Sequence, residues 1–506
     1  MKKKIFIVAA VIISSHAHAQ QDSVRTLEET VITATKFTVK QSQTGKVVSV
    51  IDKATLDKSA GKTLAQVLNE QAGVIVNGAL NNLGTNQSIY LQGAGSGRTL
   101  ITIDGIPVID PSAVDNSFDI NLISLDNVER IEICKGAQST LYGSDAIAGV
   151  INIITIKPDI KTPVNVNATV AHGNYGTDKA SLQVYGKLAS QLTYNVNYAQ
   201  LNSTGFSAAY DSSGKGNFDN DGYRESNITG NLAWDITKAF TIKGFAQYTY
   251  YKTDIDASAF TDAKNDASAN KNFLLGGGLT YKFSNTTLNG NYRYNTVNRL
   301  TIEDSVYGQG YQNNNYNGKT QYAEIFGNTN LGKGFTWLYG ADYNFASTNN
   351  QNLSISSYGP YTSNMNDTSI NQGSIYTSLF YNKNNFNVEL GGRYNNHSKY
   401  GTHYTYTFNP SYIINNNWKI YASIASGYKA PSLYQLYSSY GNPNLKPETS
   451  VNYEAGVQYG DQHFSTRINY FNRKIDNGLD FDYVNYVYFN YDRKMHRVLN
   501  GKQLLN

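Results

Sequence analysis

Aspartates gather in two stretches of this sequence. The first holds Asp211, Asp219 and Asp221, the last two within Phe218-Asp219-Asn220-Asp221-Gly222-Tyr223. The second holds Asp254, Asp256, Asp262 and Asp266. Asp-Asn-Asp-Gly sets hard oxygen donors around a tight turn, the donor type a calcium ion takes. The remaining EF-hand positions are missing, so that motif is rejected. Solvated turn residues would give the same pattern, because Asp and Asn favour turns for their own backbone hydrogen bonds. No catalytic set stands out. The 7 His are scattered, and neither a Ser-His-Asp order nor a metal-hydrolase spacing occurs, so no enzyme is expected. Gly93-Ala94-Gly95-Ser96-Gly97 lacks the Lys-Ser/Thr of a phosphate loop and opens no helical pattern, which argues against a nucleotide site.

The elements that would position these loops are mostly strands. From about residue 163 apolar and polar residues alternate, as in 192–198, 386–394 and 464–470. One face could meet lipid and the other a wet lumen; a sandwich with one solvated face alternates in the same way. The connections separate the two. Short links at 189–191, 235–238 and 283–285 alternate with long ones near 202–223, 253–269, 299–318, 350–371 and 430–447, the pattern of an outer-membrane barrel. Composition agrees: 41 Tyr and 43 Gly with 16% charged residues suit a large antiparallel sheet with aromatic girdles. A net charge of +4 names no nucleic-acid partner. No run of 18 apolar residues occurs, so no membrane-spanning helix is expected. Cys134 is the sole cysteine; it can form no intramolecular disulfide and reads as a buried, inert thiol.

The N-terminus reads as a secretory signal over 1–19. Lys2 to Lys4 carry the charge, Ile5 to Ile13 form the apolar core, and Ala17-His18-Ala19 is the cleavage site. Thr63 to Glu70 predicts a helix, 89–91 and 100–103 predict strands, and Asp104-Gly105 predicts a hairpin turn. The stretch 128–155 predicts a strand, a glycine turn, a short helix or loop, and a second, β-branched strand.

That stretch, with Val128-Glu129-Arg130-Ile131-Glu132-Ile133, Tyr142-Gly143, Ala148-Gly149 and Ile151-Asn152-Ile153, resembles the end of the plug domain of TonB-dependent outer-membrane receptors. The resemblance implies an N-terminal α+β plug domain followed by an antiparallel transmembrane β-barrel. On that reading 20–36 is an N-terminal segment, 37–157 the plug and 158–492 the barrel. Glu29, Thr30, Val31, Ile32, Thr33 and Ala34 form a short β-branched segment, read as exposed and extended, that can add to a partner sheet; they resemble the box that TonB pulls. About sixteen strand candidates occur, against roughly 22 in plugged transporters. The tail 493–506 has no aromatic residue and reads as atypical, so the expectation is a receptor cut short, whose strands make no stable plugged barrel and insert poorly.

The aspartate loops look like the calcium-binding loops of the BtuB-type cobalamin receptors, which implies Asp211, Asp219, Asp221, Asp256 and Asp266 as calcium ligands. The ligand-facing plug loops implied by the same resemblance contain Asn82, Leu83, Gly84, Thr85 and Asn86, then Asp110, Ser112 and Val114. They hold no His or Tyr cluster for haem and no basic cluster for an anionic chelate, which favours a large, mostly neutral ligand such as cobalamin. A siderophore is the alternative, and a passive porin, an adhesin or an inactive copy are further ones. Gly427-Tyr428-Lys429-Ala430-Pro431-Ser432 and Asn442-Pro443-Asn444-Leu445-Lys446-Pro447-Glu448 mark the family without naming the ligand. Gln92 stands where an Arg is usual, leaving a plug–barrel ion pair in doubt. The partners implied are TonB, outer-membrane lipid, the ligand and a surface lipoprotein. The location implied is the outer membrane of a Gram-negative bacterium.

Overall fold

A computed structural model describes residues 30–155, 162–188, 191–212, 214, 218–304, 310–415, 417–461 and 465–500, with backbone alone from 492 to 500. The signal segment 1–19, residues 20–28 and Glu29 lie outside the described residues.

β-Branched runs build the plug. Its five-stranded sheet runs in the order Val47–Ile51, Val128–Lys135, Gly149–Thr155, Thr99–Ile103, Ile106–Val108. Thr99–Ile103 lies parallel to Gly149–Thr155, and the other pairs are antiparallel. Val150, Ile151 and Ile153 are buried, as a strand covered on both faces requires, and Asn152 among them is buried too. The helix expected near Thr63 is Leu64–Asn69. Thr63 caps it, its hydroxyl accepting from Gln66 N at 3.3 Å while Gln66 Oε1 accepts from Thr63 N at 3.0 Å. Asp104 and Gly105 both take positive φ, +52° and +81°, as a two-residue hairpin between twisted strands demands.

The stretch 128–155 folds as expected: strand Val128–Lys135, helix Ser139–Tyr142, strand Gly149–Thr155. Gly149 is its tightest point. A Cβ there would lie 2.3 Å from the Cys134 carbonyl oxygen and 2.6 Å from Leu91 Cδ2, at φ +153°. Gly149→Ala is therefore expected to lower stability by about 3 kcal/mol, from backbone strain and overpacking together. Gly105→Ala meets nothing within 4 Å and should cost only the strain, about 1 kcal/mol. Denaturant unfolding of the two purified variants checks the difference, and equal midpoints would refute it.

Among the described residues sixteen strands follow in sequence order, each antiparallel to the next, from Asn165–Gly173 to Val487–Asn500. The alternation places polar residues inward. In Leu192–Ser203, Asn195 and Asn197 are buried while Val196 and Tyr198 are exposed. In Phe386–His397, Glu389, Arg393 and Asn395 are buried while Leu390 and Tyr394 are exposed. An apolar outer face and a polar inner one is what lipid outside and a plug inside require. Among the described residues no helix is long and apolar enough to cross a membrane.

Three expectations are corrected here. The connections expected near 299–318 and 350–371 are largely strand: Thr286–Glu303, Tyr311–Gly332, Phe335–Ser356 and Gly359–Lys383 reach well past them. Their Asn-rich composition reads as loop, but the amides bond across strands. Asn298 Nδ2 donates to Asn317 Oδ1 at 2.7 Å, and Asn317 Nδ2 to Asn349 Oδ1 at 3.0 Å. The tail is also extended, because Val487–Asn500 pairs with Ser465–Asp482 beyond the expected boundary at 492. Backbone pairing needs no aromatic side chain. The two outermost strands pair on one side only among the described residues.

Plug and barrel share one interior. Plug residues Ile51, Leu68, Ile101, Ile131 and Ile151 lie in the same apolar cluster as inward barrel residues Tyr223, Tyr251, Leu274 and Val297.

Candidate functional site

The segment from Thr30 to Lys36 is docked, which corrects the expectation of an exposed strand. Val31, Thr33 and Ala34 are 0% exposed. Thr30–Val31 pairs with Val39–Lys40. The buried carboxylate of Glu132 explains the docking. Its Oε2 accepts from Ile32 N at 2.9 Å, Thr33 N at 2.8 Å and Thr33 Oγ1 at 2.7 Å, and its Oε1 from Arg130 Nε at 2.9 Å. Asn152 Nδ2 donates to Thr33 Oγ1 and the Tyr142 hydroxyl to Thr33 O, both at 3.0 Å. Two lysines tie the segment to the barrel. Lys46 Nζ donates to Ala34 O at 2.7 Å and pairs with Glu389 at 3.0 Å. Lys36 pairs with Glu324, which also accepts from the Tyr376 hydroxyl at 2.8 Å.

The plug loops expected to face ligand are more buried than expected. Asn82 is 5% exposed, and its Nδ2 donates to Phe206 O at 2.6 Å and Asp221 Oδ2 at 3.3 Å. The Leu83 carbonyl accepts from Thr253 Oγ1 at 2.8 Å, and the Thr85 carbonyl from Asn121 Nδ2 at 3.1 Å. Gly84 is buried so closely against Thr253 and Tyr223 that a Cβ would lie 2.8 Å from each. Asp110 is 1% exposed, accepts from Ser112 N at 2.8 Å and pairs with Arg299 at 3.1 Å. Of the eight residues expected, Asn86 and Val114 are exposed, Leu83 and Thr85 are half-buried, and Asn82, Gly84, Asp110 and Ser112 are buried parts of the floor's scaffold.

Sequence reasoning missed the barrel side of this floor. Arg299 Nη2 donates to Ser112 O at 2.8 Å, Ser432 Oγ to Val114 O at 2.6 Å, and Lys429 Nζ to Asp115 O at 2.9 Å and Asp145 Oδ1 at 2.5 Å. Lys429 and Ser432 sit in the Gly427–Ser432 run, which carried the signal; Arg299 had none. Aromatic residues stand beside the floor. Arg299 lies over Tyr316 at 5.1 Å, Tyr434 and Phe481 make ring contacts with Tyr488, and Tyr440 makes one with Phe481. Gln92 makes no plug–barrel ion pair. Arg98 instead binds Glu448 through Nε and Nη2, at 2.9 and 2.5 Å.

The aspartate loops meet the plug at Asn82. Asp221 accepts from Ala208 N at 2.6 Å, while Asp256 accepts from Ala209 N at 2.5 Å, Ser207 Oγ at 3.1 Å and Ala263 N at 3.1 Å. Burial first, and the adjoining Asp256 charge after it, push the Asp221 carboxyl up to about 7. Asp219 N donates to Asp262 Oδ1 at 3.2 Å. Asp266 accepts from Asp304 N at 2.7 Å through one oxygen, and its other oxygen is buried without a partner. Asp211 accepts from Gly214 N at 3.1 Å. Among the described residues no three acidic or His side chains converge on a ready metal cage. The five expected ligands are thus not gathered as one set: Asp221 and Asp256 adjoin, while Asp266 is engaged by Asp304 N and Asp211 by Gly214 N. The donor chemistry still fits a hard divalent ion, with oxygen ligands only, a like-charged pair and one orphaned carboxylate oxygen.

Two family models cover most of this architecture: the TonB-dependent receptor plug domain over residues 40–150, and the TonB dependent receptor-like β-barrel over residues 258–497. The chain belongs to the TonB-dependent receptors. It is 26% identical over 480 residues to the vitamin B12 transporter BtuB of Vibrio vulnificus (strain YJ016), covering 92% of this chain and 73% of that one. Solved structures share the fold. A variant of the ferric enterobactin receptor PfeA of Pseudomonas aeruginosa superposes with a TM-score of 0.70 at 21% identity, over 89% of this chain and 74% of that one. The siderophore receptor PirA of Acinetobacter baumannii gives 0.67 at 19%, over 90% and 76%. A TonB-dependent receptor barrel belongs in the Gram-negative outer membrane, and the family is one of receptors and transporters rather than enzymes.

Proposed function

We propose that this TonB-dependent receptor imports a large, mostly neutral ligand, cobalamin or a related corrinoid, with TonB drawing on segment 29–34, which is docked from Thr30 onward. The observation that carries the ligand reading is the contact of Asn82, in the plug floor, with Asp221 in the acidic loops. Ordering of those loops is thereby coupled to the shape of the floor. Calcium is the ordering ion in this reading. Asp221 and Asp256 would hold it, with Asp219 and Asp262 able to approach, and the ion would supply positive charge between like-charged loops. The BtuB relative supports the choice of ligand. Siderophore uptake is the second reading, favoured by the names of the solved neighbours and by the tyrosines beside the floor.

The linkage has a definite sign. A carboxyl whose folded value lies near 7, against an ordinary value near 4, opposes the ordered loops increasingly as pH rises from about 4 to 7, and fully above that. Calcium must displace the proton that Asp221 keeps below 7. Calcium affinity is therefore expected to climb by about tenfold per pH unit from 5 to 7 and then level off. Cyanocobalamin binding to the purified protein, titrated with calcium at several pH values, is the test. Binding that calcium strengthens in the parent protein and not in Asp221→Ala/Asp256→Ala is the expected result. Binding of a ferric siderophore with none of cobalamin would overturn the ligand, and pH-independent calcium affinity would overturn the acidic pair.

A further inference from the structure

The outward face of the barrel carries a groove of about 730 Å³ that the transport reading does not use. It spans the strands from Phe240–Asp254 to Gly359–Lys383. Two rows of register-paired residues line it. One runs Tyr248, Phe273, Thr296, Lys319, Ser347, Ser369 through consecutive strand pairings. The next, one side-chain repeat toward the loops, contains Tyr250, Lys271, Asn298, Asn317 and Asn349. All point away from the plug, since their neighbours Asn272, Val297 and Thr348 are the buried, inward ones.

The second row is wired by its own amides. Asn298 donates to Asn317, Asn317 to Asn349, and Asn349 to Asp367 at 2.5 Å. Asp367, the one carboxylate lining the groove, is thereby engaged. Toward the middle of the strands the same face becomes more apolar: Leu275 pairs with Tyr294, and Phe345 lies in the same row beyond Gln321. Lys271 and Lys319 stand at this boundary. Lys271 Nζ lies 5.9 Å from the Tyr250 ring and Lys319 Nζ 5.5 Å from the Tyr294 ring. Neither has a carboxylate partner among the described residues. Two strand spacings and one side-chain repeat separate their Cα atoms by roughly 12 Å, so both ammonium groups can reach one headgroup.

Uncompensated ammonium groups on a lipid-facing surface are costly, and they are tolerated where an anion meets them. We infer that this groove is a binding site for a phosphate-bearing lipid of net negative charge. Its headgroup sits between Lys271 and Lys319 against the Asn298–Asn317–Asn349 ladder, and its acyl chains run over Phe273, Leu275, Tyr294 and Phe345. Lipid rather than a soluble anion is the committed occupant because the apolar rows continue directly from the lysines.

The test uses the full chain in mild detergent, titrated with phosphatidylglycerol or phosphatidylcholine and read by native mass spectrometry. One phosphatidylglycerol should bind ahead of phosphatidylcholine, and Lys271→Gln/Lys319→Gln should weaken it by about tenfold or more. Lys238→Gln/Lys333→Gln, in turns at the opposite rim, should leave it unchanged. Heat-modifiability on a gel establishes that each variant is folded. Equal binding of the two lipids, equal loss in both double variants, or displacement of phosphatidylglycerol by inorganic phosphate would each overturn the lipid site.

Discussion

Glu132→Ala is expected to release residues 30–35 from the plug without any ligand. The change leaves Ile32 N and Thr33 N without their acceptor and Arg130 without its counter-charge. Removing one partner from a buried, charge-assisted set costs about 3–5 kcal/mol. A shift of that size turns a rare undocked state into a substantial one. A spin label placed by Thr30→Cys, in a Cys134→Ser background that removes the sole native thiol, reports the change as a sharpened spectrum. Glu132→Gln keeps one oxygen acceptor and should fall between. A spectrum as broad in Glu132→Ala as in the parent would refute the carboxylate's role.

Val31→Pro is expected to stop uptake while sparing ligand binding. Proline removes a backbone donor and bars the residue from a central position in any added sheet, worth about 3 kcal/mol or more, roughly a hundredfold in the coupled complex. The floor residues held by Arg299, Lys429 and Ser432 lie elsewhere in the plug, so ligand affinity should change less than about twofold. Cells carrying the variant should bind labelled ligand at the surface and fail to accumulate it. Accumulation at the parental rate would remove segment 29–34 from the coupling role. The pair of variants separates two properties, since Glu132→Ala frees the segment and Val31→Pro disables it.

The sequence made some of this visible and hid the rest for physical reasons. The strand–helix–strand of 128–155 was legible because β-branched runs and positive-φ glycines act within a few residues. The inward Asn and outward Tyr of the barrel were legible because a pleat has a fixed period of two. The docking of Thr33 was not, because its acceptor Glu132 lies 99 residues away and any extended segment has the same local pattern. The tall hairpin Phe335–Ser356 and Gly359–Lys383 was hidden by its Asn, Ser and Thr, whose turn preference loses to pairing once neighbouring strands are in place. The aspartate loops were found as a group and not as a geometry, because amides from distant stretches, Ala209 N for Asp256 and Asp304 N for Asp266, decide where the carboxylates point. Asp110 and Ser112 were recognised as floor residues, yet their burial depends on Arg299, a barrel side chain with no pattern of its own.

The interior shared by plug and barrel also bears on how the molecule is made. The plug's apolar cluster is completed by Tyr223, Tyr251, Leu274 and Val297, residues synthesised after the plug has emerged. Until those strands arrive, the newly made plug shows an oily flank to water. The plug's core is therefore completed only when barrel strands as far as Val297 stand beside it, and its folding is tied to barrel assembly.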